Sequence, residues 1–270
     1  MSAFTDANRA NWDERATLHA ERGPHGYRVS QYIDDREAIS GVVRFDLPRL
    51  GPAVHLQCHI GTDTLSLARL GARVTGLDFS PAAIDEARRL VADTGDDVDF
   101  VVSDVHDAAA VLPAGSFDLV YTGVGALCWL PSVDRWAAVV SALLAPGGSL
   151  FLREGHPILW SMDERLDDDL HLRFPYWERD EPLEWDDDST YVETTRPLTA
   201  TRTYEWNHSL GEIVTALIRA GLRIDLLEEH ESVPWEALPG QMVERDGEFA
   251  LAALDGVAPL SYTLRASKPA

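Results

Sequence analysis

The stretch His55–Ser80, "HLQCHIGTDTLSLARLGARVTGLDFS", decides the fold. It reads as a short apolar strand, a tight turn, a helix, a second strand and an acid. That is how a nucleotide-binding βαβ unit begins. The turn "CHIGTD" holds one glycine where such turns usually hold two or three. Gly61 is the residue that lets a ligand come close to the backbone. Asp78 lies 17 residues further on, at the tip of the second strand, where a carboxylate can accept hydrogen bonds from both ribose hydroxyls.

Working outward, strands and helices alternate. Ser80-Pro81 places a capping side chain before a proline at the first helical position, and a helix follows to about Asp93. "VDFVVSD" is a third strand, "FDLVYTG" a fourth, "SVDRWAAVVSALLA" a helix and "SLFLRE" a fifth strand. This spacing predicts a mostly parallel sheet in a three-layer α/β sandwich. Before it, residues 5–20 and 28–40 read as helices. After it the alternation breaks: residues 155–207 are acidic and aromatic, with an antiparallel hairpin expected around Arg196-Pro197-Leu198. "SLGEIVTALIRAGL" is then an amphipathic helix, "RIDLLEEH" a strand and "PLSYTLRAS" a last strand that closes the sheet in antiparallel sense. The organisation expected is a helical lid (1–50), a core (51–154), a β-rich cap (155–207) and the C-terminal part of the core sheet (208–270).

Composition narrows the function. The chain has 270 residues, 45% of them apolar, and a formal charge of −22, with Lys268 its one lysine. So acidic a surface argues against nucleic acid and anionic membranes as partners. No apolar run is long enough to span a bilayer and the N-terminus lacks an apolar signal region, so the expected location is the cytoplasm. Cys58 and Cys128 read as free thiols filling apolar positions, and no Cys/His/carboxylate spacing suggests a metal.

Four segments carry a resemblance: "VTGLDFSPAAIDEAR", "FVVSDV", "FDLV" and "LLAPGGSLFL". Together they resemble the class I S-adenosylmethionine-dependent methyltransferases, strongly over 53–154 and more loosely over 209–266. "LQCHxGxDT", "GALCWLP", "EGHP" and "EWNHSLGEIV" resemble one bacterial subgroup of these enzymes. The resemblance implies a Rossmann-like methyltransferase sandwich of seven strands with an antiparallel edge strand, S-adenosylmethionine as cofactor and a small-molecule acceptor, with a homodimer left open. The family often reads "DLGCGTG" at the turn. Here Gln57, His59 and Asp63 replace an acid and two glycines, and Asp63 is placed to face the ligand ammonium from the start of a helix. The cofactor residues implied are His59, Gly61, Asp63, Thr64, Asp78, Phe79, Asp104, Val105, Thr122 and Gly123, with Asp104 facing the adenine amino group.

On the acceptor side, His156 in "REGHP" and His208 in "EWNHS" both approach the carboxyl edge of the sheet, and either can serve as a base. Trp160, Tyr204 and Trp206 are the expected substrate contacts. Two other outcomes fit the same cofactor: transfer of a different group or a cyclisation, and a non-catalytic sensor of S-adenosylmethionine. The acceptor atom and the pathway are not legible in the chain.

Overall fold

The computed structural model describes residues 2–23, 26–43, 47, 50–167, 169–253 and 256–270. The chain begins with helix α1 (Ala3–His19), capped by Ser2, and a single turn of helix, α2 (Ser30–Asp34). The expected second helix over 28–40 is thus five residues long. Its polar sequence offers too little apolar face to hold a longer one.

The core follows the alternation: β1 (Pro52–Leu56), α3 (Thr62–Arg69), β2 (Arg73–Asp78), α4 (Pro81–Thr94), β3 (Asp99–Val102), α5 (Ala108–Val111), β4 (Phe117–Thr122), α6 (Val133–Leu143) and β5 (Leu144–Gly155). Ser80 caps α4 by accepting from the Ala83 amide at 3.0 Å, with Pro81 at the first helical position, and Gly95 ends the helix in the left-handed conformation. The cap contains α7 (Pro157–Trp160), β6 (Leu183–Asp186) and β7 (Arg202–Glu205). β6 and β7 pair antiparallel, Leu183 against Glu205 and Asp186 against Arg202. The hairpin therefore flanks a long connection, not a tight turn at 196–198, because Pro197 and the polar run beside it supply no strand register. The chain ends with α8 (Leu210–Arg219), β8 (Arg223–His230), β9 (Ser232–Val233), β10 (Met242–Arg245), β11 (Glu248–Leu251) and β12 (Ser261–Ser267).

Seven strands form the main sheet in the order β3-β2-β1-β4-β5-β12-β8. β12 runs antiparallel to both neighbours, Leu264 opposite Leu152 on one side and Leu227 on the other. The apolar side chains divide by strand periodicity. Val54, Leu56, Val120, Leu150 and Leu152 face α6 and α8 and pack around buried Trp136. Ala53, Leu119, Tyr121 and Phe151 face Leu67 and Val74 on the opposite side. The strand order reverses between β1 and β4, so the crevice beyond their carboxyl ends is where a ligand is expected.

Candidate active site

The turn after β1 solves its geometry in an unusual way. Gln57, His59 and Gly61 all have positive φ, at 59°, 50° and 79°. A left-handed non-glycine residue costs roughly 1–2 kcal/mol, so both side chains need compensation. The Gln57 amide donates to the Ala126 carbonyl at 2.8 Å. The His59 backbone N–H donates to Asp78 Oδ2 at 2.8 Å. At Gly61 no side chain fits: a Cβ there would stand 2.9 Å from the Ala87 Cβ and 3.0 Å from the Phe100 ring. Glycine is thus required at 61 by the packing of α4 and β3 beneath the turn.

Asp78 closes this turn. Its second oxygen accepts from the Ser80 amide at 2.9 Å, and the side chain is buried. Burial pushes its pKa up to about 6 against the pull of those backbone N–H groups, with nearby Asp13 adding to the rise. Asp104, less buried, accepts from the His106 amide at 2.8 Å and lies 3.1 Å from the His106 Nδ1, and these bonds lower its pKa. Phe79 is half-buried beside Asp78, and Val105 is buried after Asp104.

Across the crevice, Thr122 pairs with Leu56, and Gln57 follows directly. Thr122 Oγ1 and Gln57 Oε1 are buried and have no protein partner. Asp63 Oδ2 accepts from the Tyr121 hydroxyl at 3.4 Å, and a Cβ on Gly123 would sit 3.5 Å from that oxygen. Burial raises the Asp63 pKa, while hydrogen bonds from Ser40 and Tyr121 oppose the rise. Thr64 is already satisfied: its hydroxyl meets His55 Nδ1 at 2.9 Å. Burial lowers the His55 pKa to about 3.

Helix α1 lies over the turn and buries polar groups there. Asn8, Asn11 and His19 are all buried. Asn8 bonds β7 in both directions, accepting from the Tyr204 amide at 2.8 Å and donating to the Tyr204 carbonyl at 2.7 Å. Asp13 accepts from the Ser80 hydroxyl and joins the cap of α4. His19 Nδ1 meets His59 Nε2 at 2.9 Å, and His19 Nε2 meets the Thr190 hydroxyl at 2.9 Å. Burial, then the neighbouring His59 and Arg15, hold His19 well below its ordinary pKa; burial, then Arg15, lower His59 to about 3. Sequence reasoning missed Asn8, Asp13, Arg15 and His19. Their signal was a polar stripe at helical spacing on a helix with no apolar stripe to bury.

The loop after β4 is held from several sides. Glu154, at the end of β5 and fully buried, accepts from the amides of Gly125, Ala126, Leu127 and Gly155. Burial raises its pKa and the N–H groups resist. His208 Nε2 faces the carbonyls of Leu127 at 3.1 Å and Leu130 at 2.9 Å, and its Nδ1 lies 2.8 Å from Glu178 Oε2.

The acceptor residues read from the sequence are not brought together. Trp206 and Tyr204 lie under α1: Phe4 sits 4.7 Å from the Tyr204 ring and 6.1 Å from that of Trp206, and the Trp206 amide donates to the Cys128 carbonyl at 2.8 Å. Trp160 stacks on Trp235 at 5.7 Å, and Trp235 packs against a separate apolar cluster that includes Leu159, Met162 and Leu251. His156 caps α7 through Nδ1, accepting from Ile158 at 3.1 Å, and its Nε2 stands 3.0 Å from Glu229 on β8. Burial lowers its pKa against the pull of Glu229. The expected base, His208, is enclosed by oxygen atoms on both ring nitrogens. Carbonyl oxygens only accept, so Nε2 must carry a proton, and Nδ1 is committed to Glu178. His156 serves the β8–β12 side of the fold. Cys58 and Cys128 are free and buried. No group of three potential metal ligands occurs among the described residues.

Residues 54–150 match the family described as a methyltransferase domain. Over 122 residues the chain is 41% identical to a ubiquinone biosynthesis O-methyltransferase of Xanthomonas euvesicatoria pv. vesicatoria, a match covering 45% of this chain and 46% of that protein. The chain thus spans about half the length of the curated relatives it matches. An S-adenosylmethionine-dependent methyltransferase from Mesorhizobium loti superposes with a TM-score of 0.54 and 25% identity over 82% of this chain and 94% of that one. One from Methanosarcina mazei superposes with a TM-score of 0.55 at 19% identity, over 86% and 98% of the two chains, a likeness of fold. Strand order and the match over 54–150 agree: residues 54–150 are similar to a methyltransferase domain, and the seven-stranded sheet around them has the fold of the S-adenosylmethionine-dependent methyltransferases it superposes on.

Proposed function

We propose that the protein transfers a methyl group from S-adenosylmethionine to an oxygen or nitrogen nucleophile of a small molecule, releasing S-adenosylhomocysteine and passing the nucleophile's proton to solvent. The observation that carries this reading is the pair of buried, unpartnered polar atoms at the β1–β4 switch point, Thr122 Oγ1 and Gln57 Oε1, in a methyltransferase domain. Buried polar atoms without partners are costly, and a polar ligand in the crevice offsets that cost.

The residues present fit the cofactor. Asp78 would take the ribose hydroxyls on the lone pairs its backbone donors leave free. Asp104, with Phe79 and Val105 beside it, would hold the adenine. Asp63 would face the ammonium, with Gly123 leaving room next to it and Thr122 offering its hydroxyl. His59 and Gly61 would form the floor beneath, and Thr64 would hold α3 in place through His55. Bound there, S-adenosylmethionine supplies an activated sulfonium methyl group. The chain's own contribution is to fix both reactants in line and keep water out, which suffices for attack on an already activated carbon. Helix α1 and the cap exclude the water. His208 and Glu154 hold the β4 loop, against which the acceptor would lie, and neither moves a proton.

The test is calorimetry with S-adenosylhomocysteine, followed by product analysis with acceptor mixtures. Asp63→Asn should weaken S-adenosylhomocysteine by ~1.5–3 kcal/mol, the usual worth of a charge-assisted hydrogen bond, and leave methylthioadenosine, which lacks the amino acid moiety, nearly unaffected. Absence of S-adenosylhomocysteine binding to the unmodified protein would sink the proposed function.

A further inference from the structure

Arg15 projects from α1 into the space between the helix, the β4 loop and the cap. Its guanidinium carbon lies 5.2 Å from the centre of the Trp12 ring, 5.9 Å from that of Trp129 and 5.9 Å from that of Tyr191. One ring comes from α1 itself, one from the loop after β4 and one from the cap. Trp12 in turn meets Trp129 at 5.2 Å and His59 of the cofactor turn at 5.0 Å. The box therefore stands over the edge of the sheet where an acceptor has to meet the cofactor.

Aromatic rings stabilise a cation but leave its N–H groups unused. Arg15 enters no ion pair among the described residues, although the chain carries 45 acids against 23 basic residues. Its Nε is buried and has no hydrogen-bond partner. With Nε free, the edge made by Nε and one terminal nitrogen is a two-pronged donor, whose natural complement is a planar carboxylate.

We propose that Arg15 is the receptor for a carboxylate carried by the methyl acceptor, so that the substrate is a small carboxylic acid, aromatic or otherwise flat enough to lie among Trp12, Trp129 and Tyr191. This rests on the methyl-transfer reading above. The same chemistry could in principle come from the cofactor's own amino acid end. Two of the three rings belong to the β4 loop and the cap, not to the cofactor turn, and this favours the acceptor. The surroundings are compatible with an anion despite the acidic chain. Glu205, at the end of β7, has its pKa pushed up to about 7, by burial first and by the charge of Glu164 second, with Arg15 pulling the other way. In its protonated form it is a hydrogen-bond donor rather than a repelling charge.

The experiment uses the full chain, with S-adenosylhomocysteine at saturation and also without it. A panel of aromatic and aliphatic carboxylic acids is titrated by calorimetry, each beside its uncharged primary amide. At least one acid should bind tenfold or more tightly than its amide. Arg15→Met keeps a long side chain among the rings without the charge, and Arg15→Lys keeps the charge without the fork. In Arg15→Met the preference should vanish while S-adenosylhomocysteine affinity stays within twofold; in Arg15→Lys part of the preference should return. No acid-over-amide preference anywhere in the panel overturns the proposal. So does an Arg15→Met variant that keeps the preference, or one that loses S-adenosylhomocysteine affinity tenfold, which would assign Arg15 to the cofactor. Failure of S-adenosylhomocysteine to bind the unmodified protein counts against methyl transfer, and the acid–amide comparison without it still decides the role of Arg15.

Discussion

At the scale of single residues, the turn "CHIGTD" shows what a side chain must earn to occupy a left-handed position. Gln57 and His59 hold positive φ with partners on the β4 loop and α1, whereas Gly61 has no room for a Cβ. His59→Gly should relieve local strain yet lose the bond to His19, so the expected result is an α1 whose amides exchange faster while those of β1 do not, measured by hydrogen exchange. Gly61→Ala should destabilise strongly, because backbone strain and a 2.9 Å contact with the Ala87 Cβ act together. The need for glycine at 61 was visible in the sequence, but its cause was not: Ala87 and Phe100 are far along the chain. His55 supplies a pH prediction. Its folded pKa, about 3, lies below the unfolded value, so the stability it contributes is complete above pH 6.5 and is lost as pH falls towards 3. Its share of the slope is about 1.4 kcal/mol per pH unit within that window. Denaturation of His55→Asn at pH 6 and pH 5 should show a shallower loss than the parent by roughly that amount; an identical slope would mean that His55 is protonated in the fold.

At the scale of elements, those whose signals are local match their reading closely. Ser80-Pro81 starts α4, and Ser209 and Glu212 form a capping box at α8, the serine accepting at 3.2 Å and the glutamate returning to the Ser209 amide at 2.8 Å. Ser209→Ala should cost about 1 kcal/mol of stability by chemical denaturation. What the sequence did not show is what holds some of the correctly read elements in place, because their partners are distant. The sequence of α1 has little apolar face, and the helix is held by polar bonds to the cap: Glu14 accepts from the amides of Thr199 at 2.8 Å and Ala200 at 2.9 Å, and pairs with Arg196. The β4 loop likewise depends on Glu154, a residue that the pattern of β5 marks only as the strand's end. Glu154→Ala strands buried amides at a cost of ~1–3 kcal/mol each. The expected outcome is a large drop in melting temperature, with Glu154→Gln recovering only part because an amide accepts on one atom alone.

At the scale of the whole molecule, 45 acids against 23 basic residues place the fold under self-repulsion. Raising monovalent salt from about 10 mM to about 200 mM shortens the screening length from ~30 Å towards ~8 Å and should raise the melting temperature. A fall would mean that attractive ion pairs such as Arg69–Asp96 at 3.2 Å outweigh the net charge. The strands as far as β5 and their parallel sense were legible, since each parallel strand follows its helix. The seating of β12 between β5 and β8 was not, because pairing Leu152 with Leu264 joins residues more than a hundred positions apart. That seating also orders events in time. Tyr262, Leu264 and Ala266 lie in the core, although a ribosome delivers them long after β5. Until they emerge, β5 has one bare edge and α8 packs over an unfinished surface, a ready template for a neighbouring nascent chain. Synthesis interrupted near residue 260, before β12 emerges, should therefore release an aggregating product.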